Sequence, residues 1–179
     1  MGIALSAACG FRVFVPLAIM SIASLTGYLT LSPGFEWIGT IPSLVAFGTA
    51  TILEVSGYYI PWVDHLLDTI ATPAAVLAGI VVSASTFVEV SPMVRWILAI
   101  VAGGGVAGIV QGATVLARWK STALSAGLTN PILSTAELAG SLVTSLLAIA
   151  VPILCLMLIL LGVYLISRSA GRFVFGRHP

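Results

Sequence analysis

From Thr135 to Ile166 the chain runs for 32 residues with a single charged side chain, Glu137. A helix needs roughly 20 mostly apolar residues to cross the hydrocarbon core of a bilayer. A stretch of this length therefore asks for a membrane, and it is longer than one crossing requires. Pro152 divides it, predicting either a hairpin of two short helices or one long kinked helix. The rest of the chain agrees. Of its 179 residues 59% are hydrophobic and 7% charged, against about 25% charged in soluble domains. The reading is an all-α integral membrane protein, a single transmembrane domain over residues 1–179, with about six transmembrane helices near 13–31, 38–56, 70–88, 95–116, 135–149 and 152–167.

Several function classes fall away at once. A formal net charge of +1, with no basic stripe interleaved with aromatics, argues against a nucleic-acid partner. Cys9 and Cys155 stand among apolar residues and give no disulfide framework. No GxSxG, HExxH or GxxxxGK[ST] motif occurs, so hydrolase and nucleotide chemistry have no foothold, and no cofactor is expected. The opening residues lack the basic region of a signal peptide and are read as retained. The match of Met1–Ser6 to a myristoylation pattern is read as chance.

Two places interrupt the helical pattern. Near residues 5–16 the run is broken by Gly10-Phe11-Arg12, with Pro16 set to open a new helix. Near 120–135 the segment between Arg118 and Glu137 carries Lys120, Gly127, Asn130 and Pro131 between apolar runs. Non-helical backbone at membrane depth survives only where it is buried in protein or lines a wet cavity. Both places are thus candidates for broken or re-entrant helices, with Gly10, Pro16, Gly127 and Pro131 as the breaking residues. Gly104, Gly108 and Gly112 recur every four residues, a spacing that lets another backbone approach closely and offers a dimer contact. A weak internal echo is also present, Ala50–Leu53 with Ala113–Leu116 and Leu77–Gly79 with Leu138–Gly140, as in transporters built from repeats.

Lysine and arginine placement orients the chain. With six spans, one side holds Arg118, Lys120, Arg168, Arg172 and Arg177, and the other holds Arg95. Both termini are then expected on the cytoplasmic side of the cell membrane.

In order along the chain stand Ser6–Arg12, Glu54, Asp64, Asp68 with Thr72-Pro73-Ala74, Arg95-Trp96 leading into Gly103–Gly108, Gly127–Pro131 and Thr135-Ala136-Glu137. In this combination the sequence resembles a bacterial integral-membrane family defined as a domain of unknown function, DUF4126, over nearly the whole chain. The resemblance implies a compact helical membrane protein and no particular reaction. In that family an aspartate commonly follows the glutamate matched by Glu137. Here Leu138 stands there, which weakens any role needing paired carboxylates at that point.

The scarce charges define the candidate site. Arg12, Glu54, Asp64, Asp68, Arg118 and Glu137 fall near the cytoplasmic span ends, and Asn130 joins them at the second break. Charges inside a membrane domain usually face the bundle interior or a cavity. The functional reading is a wet pocket in which half-helix N-termini near Pro16 and Pro131 suit an anionic group. The plainer reading is interfacial pairing. Asp64 and Asp68, one helical turn apart, invite a metal, but His65 is turned about 100° away on a helix and no metal is assigned. The expected function is a small transporter or channel for an ion or small polar solute. A non-transporting membrane scaffold is the alternative, and an enzyme acting on lipid headgroups ranks third.

Overall fold

The computed structural model describes residues 1–60, 63–125 and 129–175, without the side chains of Asp64, His65, Ser125 and residues 166–175. It is about 85% helical, and among the described residues no strand occurs. The order is α1 (Gly2–Phe11), α2 (Phe14–Leu25), a 3-10 turn (Glu36–Gly39), α3 (Ile41–Gly57), α4 (Val63–Thr86), α5 (Pro92–Leu98), a π-helical segment (Ala99–Gly104), α6 (Gly105–Ser125), α7 (Asn130–Ala150) and α8 (Pro152–Phe175). Among the described residues three stretches are long and apolar enough to cross a membrane: Leu66–Thr86, the rod from Pro92 to Leu124, and Asn130–Ala150. Gly2–Phe11, Phe14–Leu25, Ile41–Gly57 and the stretch Pro152–Leu165 of α8 are apolar but shorter.

The short helix α1 occupies the centre of the bundle. It packs on α4, α6 and α7, and its residues from Ala4 to Cys9 are at most 1% exposed. Small side chains let it sit there. A Cβ at Gly10 would come within 2.6 Å of the Ala107 carbonyl oxygen and of Val110 Cβ. Ser6 Oγ lies 2.9 Å from Gly2 O and 2.7 Å from Gly79 O, sharing its proton between its own helix and α4.

The first break lies within the expected region, at Arg12 and Val13 between α1 and α2, with Pro16 in the first turn of α2, but Gly10 stays inside α1 and does not make the break. The span proposed over 13–31, however, is not one helix. Its helix stops at Leu25, and Gly27 follows at φ +79°. Tyr28 N–H donates to Ala23 O and Gly27 N–H to Ser24 O, the paired bonds by which a left-handed glycine closes a helix. The chain then returns along the bundle end, where Ser32 N–H and Oγ donate to Ser85 O (2.7 Å) and Ala84 O (3.0 Å).

Two further expectations change. The span expected near 70–88 begins earlier, at Val63, so Pro73 lies inside α4. The glycine face of α6 is used within the chain. Gly104 and Gly108 pack on Ile80 and Val76 of α4, which a Cβ added at either glycine would meet at 2.9 and 3.3 Å, while Gly112 faces open space; the dimer contact loses two of its three glycines. Backbone meets backbone between these two helices one residue earlier, at Gly103 against Gly79, where an added Cβ on Gly103 would lie 2.8 Å from Gly79 O.

Gly2 packs on Ser83 near the end of α4. Val151 leaves helical geometry at φ −138°, ψ 69°, as a residue before proline tends to, and α8 folds back so that Cys155 Sγ lies 3.6 Å from Thr144 O. Residues 135–166 are therefore a hairpin, and α8 passes Glu137 on its way out. α1 thus starts at the end of the bundle where α4 finishes, and α8 runs from the end of α7 back past Glu137.

Candidate functional site

The α1–α2 break brings Arg12 to a point where residues of four other helices, α3, α4, α6 and α7, converge. Its side chain is fully buried, and its Nη2 donates to Ser134 O on α7 at 2.9 Å and lies 3.5 Å from Glu137 Oε2. Arg118, on α6, meets the same carboxylate in a two-pronged contact: Nε donates to Glu137 Oε1 at 3.0 Å, and Nη2 bonds Oε2. Planar guanidinium matched to carboxylate in this way is the strong form of the ion pair. Arg118 Nη1 also lies 3.8 Å from Asp68 Oδ1 on α4.

Glu54, three residues before the end of α3, completes the group from another direction. Its two oxygens accept the backbone N–H groups of Val13 (2.8 Å) and Phe14 (3.1 Å). These are orphan donors at the start of α2, a site with partial positive charge. The anion that the broken helix attracts is thus supplied by the chain itself, and this terminus is not open to an anionic solute.

Tyr58 holds the arrangement together. Both guanidinium carbons stand over its ring, Arg12 at 4.0 Å and Arg118 at 4.1 Å from the centroid. Its ring supplies a negative π face to two cations without adding a charge. The sequence places Tyr58 at headgroup level and not in the site. The signal that finds it is its spacing of four from Glu54, which puts both on one side of α3.

Arg12, Glu54, Asp68, Arg118 and Glu137 therefore come together, all at most 8% exposed. Arg118 lies seven residues before the end of α6 and Glu137 seven after the start of α7, about 10 Å inside each helix end at about 1.5 Å per residue. Asn130 stands nearer that end, bonded to Ser121 Oγ (2.9 Å) and Thr122 Oγ1 (3.2 Å), and fastens the α6–α7 corner. Gly127 and the side chain of Asp64 lie outside the described residues. No group of three or more metal-binding side chains occurs among the described residues.

Each of these three carboxylates also lines a half-open cleft of its own. Asp68 lines one of about 600 Å³ between α4 and α6, with Thr72, Trp119 and Thr122. Glu137 lines an apolar one of about 480 Å³ between α6, α7 and α8. Glu54 lines one of about 240 Å³ with Phe14, Leu53 and Leu67.

Residues 1–172 match the model of a family described as Domain of unknown function (DUF4126). The chain belongs to this family. Searches among curated proteins and among solved structures return no match. For this DUF4126 protein the buried ion network and its cavities are what a functional reading has to build on.

Proposed function

We propose that the chain is a small membrane transporter or channel for an ion or small polar solute, with the Arg12–Glu137–Arg118–Asp68 network as its control point. One observation carries the reading. Five charged side chains are gathered inside an apolar bundle, and the three carboxylates among them each line a separate half-open cleft. A network meant only to hold helices together has no need of such access, and intramembrane charge of this kind marks solute pathways.

In this reading α1 and α2, of 10 and 12 residues, form a re-entrant helical hairpin whose tip is Arg12. They are too short to span and enter from the end opposite the network. Arg118 and Lys120 lie at the network end and Arg95 at the other, so the positive-inside bias makes the network end cytoplasmic. The start of α1 is then on the far side and the end of α8 in the cytoplasm. Because Glu54 already occupies the α2 terminus, cations, protons and neutral polar solutes fit better than anions.

The test is flux through proteoliposomes holding the purified chain, read with dyes for protons, K⁺ and Cl⁻. Wild type is expected to conduct above empty vesicles, and Glu137→Gln to lower the flux at least tenfold. Equal flux in wild type, Glu54→Gln and Glu137→Gln would remove the network from the pathway. Flux no higher than in empty vesicles would favour the scaffold reading.

A further inference from the structure

The buried face of α7 reads Asn130, Ser134, Glu137, Ser141, Ser145, Ala148. These spacings of three and four residues make one stripe along the helix, and it turns inward, where α7 packs on α1 and α2. Serine is a common means of bringing membrane helices close, and in that use its hydroxyl bonds a carbonyl of its own helix. This chain does so elsewhere: Thr51, Thr72, Thr114 and Thr135 donate to Phe47, Asp68, Gln111 and Pro131 carbonyls at 2.8–2.9 Å.

Two hydroxyls of the stripe do not, a state they share with the buried Ser21 and Ser83 outside it. Ser141 Oγ donates across to Ala8 O at 3.1 Å. Ser134 Oγ and Ser145 Oγ, in residues at most 1% exposed, have no protein partner, and neither do Nε and Nη1 of Arg12, whose Nη2 bonds the Ser134 carbonyl. Buried polar groups are satisfied by protein or by internal water, and here the protein offers nothing. The spacing fits water. Side chains one turn apart have Cβ atoms about 5 to 6 Å apart, the span of two hydrogen bonds of about 2.8 Å placed end to end. From Asn130 to Ser145 the stripe covers about 22 Å of helix, most of a hydrocarbon core about 30 Å thick.

We infer that this stripe holds a single file of water and that the species it passes is the proton, with Glu137 as the relay. The inference rests on the transport reading and names its solute. A file one water wide leaves no room for a hydrated ion or a larger solute, whereas a proton advances by exchange between neighbouring oxygens. A water on the Ser134 side that carries the excess proton passes it to a Glu137 oxygen and is left neutral. The carboxyl then gives a proton to a neutral water on the Ser141 side, which carries the excess proton onward, and is again a carboxylate. Arg12 and Arg118 hold the same oxygens, so the step requires a guanidinium to let go. Asp68, 3.8 Å from Arg118, is the alternative partner, and Tyr58 and Glu54 are the other groups facing the relay from α3.

The test uses the full chain in liposomes loaded with a pH-sensitive dye, with a K⁺ gradient and valinomycin setting the potential. Proton flux is expected in wild type and a loss of at least tenfold in Ser145→Val, although Ser145 lies two turns from the ion network. Ser145→Ala serves the same purpose if valine prevents folding. Undiminished proton flux in these variants overturns the file and leaves the transport reading standing. Flux of K⁺ or Cl⁻ without protons does the same. If nothing crosses, the transport reading fails, and the melting temperature of Ser145→Ala decides the stripe: a rise shows dry packing and overturns the file, and a fall shows a hydroxyl bonded to retained water.

Discussion

The Glu54 carboxylate accepts the Val13 backbone N–H at 2.8 Å across 41 positions of sequence. That contact fixes α3 to the start of α2, and with it the tip of the α1–α2 pair on which Arg12 is carried. A local turn of sequence could not do this, because Val13 follows directly on a broken helix and has no capping side chain of its own.

Glu54→Ala is therefore expected to act on stability through the α2 terminus. Losing a helix cap costs about 0.5 to 2 kcal/mol, and the buried Val13 donor left behind moves the effect to the upper end of that range. Glu54→Gln keeps one acceptor oxygen but turns an amide N–H₂ toward a second donor, so it should recover less than half of the loss. Unfolding in detergent, followed by helical circular dichroism, reads both. Equal stability of Glu54→Ala and wild type would show that the cap contributes nothing.

The Arg118–Glu137 pair gives a different pattern. Removing one member of a buried ion pair costs about 3 to 5 kcal/mol, because the other is left charged without its partner, while replacing both with apolar residues is often close to neutral. Arg118→Met and Glu137→Leu should each destabilise strongly, and the double variant less than either alone. In a double-mutant cycle, simple additivity would mean that the two-pronged contact is not made in solution.

Tyr58 separates ring from hydroxyl. Both arginines stand over its ring, so Tyr58→Phe should retain most of the stability, whereas Tyr58→Leu loses two cation–π contacts of about 2 kcal/mol each at most when desolvated. A phenylalanine variant as unstable as the leucine variant would assign the effect to the hydroxyl.

How far the sequence reaches can be seen from these same residues. Arg12, Glu54, Asp68, Arg118 and Glu137 are legible because charge is scarce in an apolar chain, and scarcity alone directs each to the interior or to water. Their grouping on one end follows from counting spans. Which of them pair is not legible, since the α2 cap comes from 41 positions away and the anion site it fills looks empty in one dimension. Tyr58 is hidden because tyrosine is also the usual residue of the membrane interface. The end of α2 escapes for a local reason. Residues 26–31 remain apolar enough to continue a helix, and Gly27 at φ +79° is a stop that composition does not reveal. The α7 serines look like common small residues, and that Ser134 and Ser145 are buried with hydroxyls lacking a protein partner, as Ser21 and Ser83 also are, shows only in three dimensions.

The last expectation concerns the contact that the glycine periodicity does not identify. Gly103 lies in the π-helical segment before α6, and a Cβ there would come within 2.5 Å of Ser83 Cβ and 2.8 Å of Gly79 O. The obstacle is partly backbone, which cannot rotate aside as a side chain can. Gly103→Val should force α6 from α4 and cost more than the 1 to 3 kcal/mol or so usual for overpacking. Gly105, two positions on, has nothing within 4 Å of an added Cβ, and Gly105→Ala should be neutral or slightly stabilising, since alanine is favoured over glycine in a helix by about 1 kcal/mol. Because the two glycines share a run of three, comparing their melting temperatures in detergent isolates packing from helix propensity. A loss of equal size at both would mean that the α4–α6 contact is looser than the Gly103–Gly79 approach requires.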